Sequence, residues 1–422
     1  MSLADDAKIL LIPSGYKTAT PNGKLYSVFP TDGEQDFQID IATTASRVNP
    51  GGLIETMSAD TPRVDHLGGG CPSLLLEGNR TNLYYDSTGW NGLSTVNITF
   101  TDTTNIIAPD GTVDDVKLMT ATSTSQPRFD ESISLPGIDK KYTTSVFVKK
   151  NTGRYVAIAH FSDSTNVAIF DLDDGSIHYQ HPSSLGLAKI ENYGNGWYRI
   201  SLPMQITSGA TNNVHKVCLS DGVNWYTGTV GDSIYCWGFQ IEEYVGATSY
   251  IPTTLGTQTR NFDNLECTTS YTLGTDATFY FDFEAYSYDS SFKQAFMIRN
   301  SAFTQYIDLI SYVDSNIYYM RMRASANGGT QNYLIAFGER DIEFFQRNKV
   351  ALRLYGNNYE IYVNGSQMKT GTSSAGNFDV VDGISIVNDF GASNTRPACK
   401  LYDFRVYDKT MTQSELETLT TI

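Results

Sequence analysis

Period-two alternation of apolar and polar side chains, broken every few residues by a turn signal, runs through most of this chain. Tyr142–Lys149 reads YTTSVFVK, and Tyr155–Ala159, Trp197–Leu202, Ser233–Ile241 and Thr278–Ala285 alternate in the same way. Side chains two residues apart share one face of a strand, so each segment is a strand with one face inward. Between them stand Asp173-Asp174-Gly175, Gly194-Asn195-Gly196, Asp221-Gly222 and Asn364-Gly365, the last following Tyr359–Val363 as a two-residue hairpin turn. Helical periodicity is confined to the C-terminus, where Thr412 and Glu415 form a T-x-x-E capping box that predicts a short helix over Gln413–Leu419. Many short strands with no helical interludes predict an all-β chain built of antiparallel sandwiches or jelly rolls.

A length of 422 residues exceeds one ordinary core. The expected organisation is an irregular N-terminal arm over 1–83, a β-sandwich over 84–262 and a second β-sandwich over 263–422, the two sandwiches in series. The arm holds only short apolar pieces, Lys8–Ile12 and Leu25–Phe29, between PSG, TPNG, TDGE, NPGG and HLGGG loops. Such a segment cannot build its own core and is expected to drape over a neighbour or a partner chain. Tyr250–Arg260 reads as an extended linker.

Composition removes several function classes. The net charge is −16 and charged residues make up 18% of the chain, which excludes a basic nucleic-acid footprint and polybasic docking on a membrane. No run approaches the roughly 18 apolar residues of a membrane span. The start, MSLADDAKILLIPSG, carries acid where a secretory signal needs positive charge, so a soluble protein assembled in a cytoplasm is expected. The five cysteines, Cys71, Cys218, Cys236, Cys267 and Cys399, are scattered without a CxxC and are expected to be reduced thiols.

Candidate chemistry is sparse. Asp171, Asp173 and Asp174 sit beside a glycine, but Pro182 occupies the position where an EF-hand loop needs its closing glutamate. The segment is better explained as a hairpin turn. His178 and His181 lack a third ligand nearby. Glu242-Glu243 and the pair Asp282 and Glu284 supply neighbouring carboxylates, the latter two apart on one strand face as in many glycosidases, although a solvated face gives the same pattern. No G-x-S-x-G elbow, Walker loop or helix-opening G-x-G-x-x-G is found, so no enzyme is expected. What remains is aromatic recognition, supported by 12% aromatic residues. Trp225, in the turn-flanked segment DGVNWYTG, and Trp90 are the candidate glycan-binding residues, with Tyr226 expected to pack. Trp197 and Trp237, on alternating strands, are expected core.

Three sets of motifs resemble bacteriophage virion structural proteins whose central domain is a carbohydrate-binding-like jelly roll. They are Ala42–Glu55; Pro62-Arg-Val-Asp with Cys71-Pro-Ser-Leu-Leu-Leu-Glu-Gly-Asn-Arg-Thr-Asn-Leu; and Tyr142–Lys150, Gly194-Asn-Gly-Trp-Tyr-Arg, Trp237-Gly-Phe-Gln-Ile-Glu-Glu and Thr248-Ser-Tyr-Ile-Pro-Thr in order. The C-terminal part, through Tyr359–Gly365 and Lys400–Thr412, resembles laminin G-like and concanavalin A-like sandwiches.

The resemblance implies a fibre or appendage subunit on the virion, assembled in the host bacterial cytoplasm and displaying glycan-binding sandwiches toward the host. The arm would contact other virion proteins, and the subunit would form a homo-oligomer, with a trimer preferred. Purely structural decoration of capsid or tail, and a polysaccharide-degrading enzyme, are the alternatives. Neither nucleic acid nor membrane is an expected partner. No cofactor is expected, although some members of the second fold bind calcium, and the resemblance leaves that open with Asn388 and Asp389 as candidate ligands. On this reading, deleting residues 1–70 would free the protein from the particle while both sandwiches stayed folded.

Overall fold

The computed structural model describes residues 6–13, 24–25, 37–113, 115–134, 140–160, 166–182, 188–205, 213–267, 271–272, 276–287, 293–299, 306–314, 317–325, 333–336, 346–356, 358–372, 380–381, 383–386 and 398–422. Within them the chain is antiparallel β throughout, with one helix at Gln413–Thr420.

The alternating central segments form a sandwich of two six-stranded sheets. Sheet one runs Ile98–Asp102, Lys117–Ala121, Ser233–Glu242, Lys141–Lys150, Trp197–Gln205 and Lys189–Asn192. Sheet two runs Ser176–Gln180, Val167–Asp171, Tyr155–His160, Asn213–Ser220, Arg128–Ile133 and Ser94–Val96. Val146, Ile200 and Phe239 of the first meet Ile158, Phe170 and Val217 of the second in one dry core.

The outer side of sheet one is also covered. Phe147, Trp197, Trp237 and Tyr250 pack there under Val48 and Ile54, which belong to the hairpin of Ala45–Val48 with Ile54–Met57. The indole Nε1 of Trp197 donates to the carbonyl of Ile107 at 2.8 Å. Both tryptophans expected in the core are there, Trp197 at 1% and Trp237 at 2% exposure.

The second sandwich draws strands from both ends of the sequence. Its central strands Asp276–Ser287 and Ala398–Tyr407 pair antiparallel, and the other edge of Ala398–Tyr407 takes two N-terminal strands. Ile9–Leu11 pairs its second half, with Ile9 opposite Val406, and Ser73–Leu76 pairs its first half, with Leu74 opposite Leu401. In the facing sheet Phe37–Asp40 pairs Asn264–Cys267. Leu11, Phe37, Ile39 and Leu74 share one core with Phe281 and Phe404. The first sandwich is therefore an insertion into the second, hereafter the inserted and the outer sandwich.

Residues expected to form a separate arm over 1–83 thus supply strands to the outer sandwich. The N-terminal segment does drape over a neighbour, but it does so as paired strands of the outer sandwich and not as a free arm. Tyr250–Arg260 is no loose linker either. Tyr250, Ile251 and Thr253 are buried, and Gln258–Arg260 pairs with Arg80–Asn82.

Local signals in the sequence carry over into structure. Asn364 and Gly365 have φ of 49° and 86°, the two left-handed residues of a type I′ turn joining Asn358–Val363 to Ser366–Thr372. Thr412 caps the helix through the reciprocal box with Glu415, and Leu416 and Leu419 seat it against Tyr280 and Tyr362. Cys71 is exposed, and Cys218, Cys236, Cys267 and Cys399 are buried.

Buried ionisable groups inside the inserted sandwich set its acid response. His160 is fully enclosed, and burial pushes its imidazole down to about 4 despite the nearby Leu202 carbonyl. The neighbouring ring of His215, 5.0 Å away, is pushed well below its ordinary value, chiefly by burial. An unfolded chain protonates these rings near pH 6.5, so the folded state loses stability as pH falls from about 6.5 to about 4, by about 3 kcal/mol for His160. Glu131, opposite His215 in register, acts with the reverse sign, because burial raises its carboxyl to about 7 and acidification favours the folded form. Thermal melts at pH 7 and pH 4.5 are expected to show a smaller acid-induced drop for His160→Asn than for the natural protein. The drop should be larger for Glu131→Gln. Equal drops in all three proteins would refute this assignment.

Candidate functional site

Two clusters of functional-looking residues result from the fold, and they differ in kind. The first lies where the sandwiches join and is closed to solvent. Glu77, 0% exposed, accepts from Arg63 Nη1 at 2.7 Å, Arg260 Nη1 at 2.6 Å, the Ser249 amide at 2.8 Å, the Ser249 hydroxyl at 2.6 Å and the Tyr286 hydroxyl. Arg63 also grips Asp263 through Nε and Nη2, and Asp263 in turn accepts from the Glu77 amide at 2.7 Å. Burial alone would raise the Glu77 carboxyl, but the Arg260 and Arg63 guanidiniums outweigh it and hold it far below the usual carboxylate range.

These residues come from the motifs that resemble virion proteins: Arg63 from the Pro62 motif, Glu77 from the Cys71 motif and Ser249 from the Thr248 motif. The motifs thus encode a structural staple between the ends of the insertion and the outer sandwich. The adjoining cavity, bordered by Glu191, Arg199 and Lys400, measures about 40 Å³, which is room for two or three waters and too little for a sugar.

The second cluster is open. On sheet two, register places Tyr155, Ala157, Ile169 and Cys218 on the face away from the core. The short side chain of Ala157 leaves a shallow floor with Ile169 and Cys218, and the indole of Trp225 lies over it. Trp225 is held by a loop that is hydrogen-bonded throughout. Asp221 Oδ1 accepts from the amides of Val223 at 2.8 Å and Asn224 at 2.7 Å, and the Ser220 hydroxyl donates to the Asn224 carbonyl at 2.9 Å. From outside the loop, the Gln126 amide donates to the Tyr226 carbonyl at 2.7 Å, and Ser125 bridges Thr227. Gly222 has φ of 85°, and a Cβ there would lie 2.7 Å from the Tyr155 ring, so only glycine fits this corner.

Around Trp225 the face is aromatic with polar edges. The Tyr226 ring stands edge-on to it at 5.4 Å and is 45% exposed, and Lys216 Nζ sits 5.6 Å from the indole. Tyr155 packs against His178 at 4.7 Å and under Arg154 at 4.9 Å, while Tyr179 is 42% exposed. Arg154 is itself fixed by a forked contact to Asp171, whose carboxyl it holds down. Rigid rings with polar edges, fixed before a ligand arrives, are suited to stacking on the apolar face of a sugar.

The sequence-derived candidates fall as follows. Trp225 is on this face, half-buried. Tyr226 reverses expectation and is the more exposed of the two, because the segment is a folded loop and not an extended strand whose neighbours point oppositely. Trp90 is withdrawn as a binding residue: it is 7% exposed and packs at 5.6 Å against Phe129 in the core. Asp171 to Ser176 closes a hairpin, with Asp174 accepting from the Ser176 amide at 3.0 Å. Asp282 is buried against Arg347, and Glu284 faces Lys189 and Tyr402. Glu242 is fully buried on Thr248, whereas Glu243 pairs Lys140 outside. Asn388 and Asp389 lie outside the described residues. The face offered by Tyr155, His178 and Tyr179 went unnoticed in the sequence, although the alternation in Tyr155–Ala159 was the available signal.

No protein family matches the chain and no relative is found among curated proteins. Among solved structures it is similar to the Ruminococcus gnavus IT-sialidase CBM40 bound to alpha2,3-sialyllactose, at 18% identity over 36% of this chain and 84% of that one, with a TM-score of 0.30. It is similar also to a heptameric SAP-like pentraxin from Limulus polyphemus, at 17% identity over 37% and 74%, TM-score 0.30. A third is domain 4 of a GH43 extracellular arabinanase from Geobacillus stearothermophilus in complex with arabinotriose, at 13% over 42% and 82%, TM-score 0.29. At these values the likeness assigns neither a family nor a ligand to this chain.

Proposed function

We propose that this chain is a bacteriophage virion surface protein, a fibre or appendage subunit, that binds a host-surface glycan on the outer face of its inserted sandwich. The observation that carries the glycan reading is the preset Trp225 indole over the Ala157, Ile169 and Cys218 floor, with the exposed Tyr226 ring edge-on beside it. The virion reading is supported by the ordered motifs from Ala42 to Thr253. Because the N-terminal strands are part of the outer sandwich, attachment to other virion proteins falls to a surface of that sandwich, in a homo-oligomer for which the trimer remains preferred. Binding without catalysis and without a cofactor fits the engagement of Asp282 by Arg347 and of Glu284 by Lys189.

Calorimetric titration of the full chain with the host's surface polysaccharide tests the reading. Tyr226→Ala is expected to weaken binding about tenfold, equivalent to roughly 1.4 kcal/mol, with only a small fall in Tm because the residue is exposed and belongs to no core. Trp225→Ala should weaken it at least as much and also lower Tm by several degrees, since the floor beneath the indole becomes wet. Unchanged affinity in both variants would overturn the proposal. Intact adsorption with fragile particles in a phage lacking the protein would assign decoration instead.

A further inference from the structure

The inserted sandwich has a second concavity, on the opposite side from Trp225. It opens between the hairpin carrying Ala45 and Thr56 and the segment 250–260, and its volume is about 310 Å³. That is at the lower end for small-molecule sites and suits a ligand of one sugar ring. The floor is buried: Ala45 at 7%, Ile251 at 4% and Arg260 at 2% exposure. Thr44, Thr56, Thr254, Gln258 and Thr259 form an exposed rim.

The chemistry of this wall is one-sided. No carboxylate lines it. Its only cation, Arg260, spends Nη1 on Glu77 and Nη2 on the Gly78 carbonyl, so its charge is already compensated. Thr254 shares a hydrogen bond with Thr88 at 3.1 Å and Thr259 with Thr81 at 2.8 Å, and each hydroxyl keeps further capacity, since a hydroxyl offers one donor and two acceptor sites. Ile251 and Pro252 supply an apolar wall beside these polar groups. Rim hydroxyls and an amide around an apolar patch, with no net charge, match a neutral sugar ring, whose hydroxyls meet the rim and whose apolar face meets the wall.

We propose that this cleft is a binding site for a neutral sugar residue, independent of the Trp225 face. The two sites lie on opposite sheets: Tyr250 at this cleft packs on Phe147 and Trp237 of sheet one, whereas Trp225 covers sheet two.

Saturation-transfer NMR titration of the full-length protein with the methyl glycosides of glucose, galactose, rhamnose and N-acetylglucosamine tests it. At least one glycoside is expected to bind. Thr56→Val and Gln258→Ala, both exposed rim changes, should each weaken that binding fivefold to tenfold with Tm unchanged, and Trp225→Ala should alter it less than twofold. Absence of binding by every glycoside overturns the proposal. So does binding that ignores both rim variants, and a signal lost only in Trp225→Ala would assign the sugar to the other face. The titration therefore fails or succeeds separately from the polysaccharide experiment on Tyr226.

Discussion

Removing residues 1–41 is expected to unfold the outer sandwich while the inserted one survives. The deletion takes away Ile9, Leu11, Phe37, Ile39 and Ile41, each no more than 1% exposed in the shared core. At about 1.5–3 kcal/mol for each buried aliphatic or aromatic side chain, the loss is on the order of 10 kcal/mol, as large as the whole stability of a typical domain. It also strips the strand Ile9–Leu11 from Ala398–Tyr407 and leaves the Phe404–Val406 edge unpaired. The inserted sandwich keeps its covering hairpin, because Val48 and Ile54 lie beyond the cut. Scanning calorimetry should then show one surviving transition, and limited proteolysis should leave a protected fragment that runs from the hairpin at Ala45 to the strand ending at Arg260. Two intact transitions would mean that the N-terminal strands are dispensable and the nesting is wrong. The longer deletion of 1–70 removes Arg63 and the hairpin as well, so it cannot serve as a clean test of particle anchoring.

The second large effect is expected at Glu77. Glu77→Ala leaves the guanidiniums of Arg63 and Arg260 buried beside an empty acceptor site, and breaking one partner of a buried ion pair costs about 3–5 kcal/mol. For domains of this size the corresponding fall in Tm is about ten degrees. Because the carboxyl is held far below its unfolded value, its contribution is complete above about pH 4.5 and is lost as pH falls below that. The difference in Tm between Glu77→Ala and the natural protein should therefore narrow at pH 3. A variant that melts within two degrees or so of the natural protein at pH 7 would show that the network is not the junction's main tie.

These two expectations mark what sequence reading could and could not reach. Alternation in TFYFDFEA, the Asn364-Gly365 turn and the Thr412 box each encode structure within a few residues, and all are found as strand, turn and capped helix. Nesting is not local. Ile9 meets Val406 across nearly the whole chain, and a three-residue strand is too short to show a period. The physical role of motif residues is not local either: Arg63, Glu77 and Ser249, far apart in the sequence, meet in one buried staple. Trp90 fell into the core because Phe100 and Phe129 surround it, a grouping made by strands of two different sheets. Trp225 was legible from its turn-rich setting, but Tyr226 was not, since parity rules hold for strands and the 221–228 loop folds back on itself through Asp221.

The central claim is that the outer face of sheet two is where this protein meets a host glycan. Hydrogen–deuterium exchange of the full chain, with and without the host's surface polysaccharide, tests this most directly. Slowed exchange is expected in the 221–228 loop and in the strands Tyr155–His160 and Ser176–Gln180, with the outer sandwich unchanged. Protection confined to the outer sandwich, or no protection at saturating polysaccharide, would contradict the account.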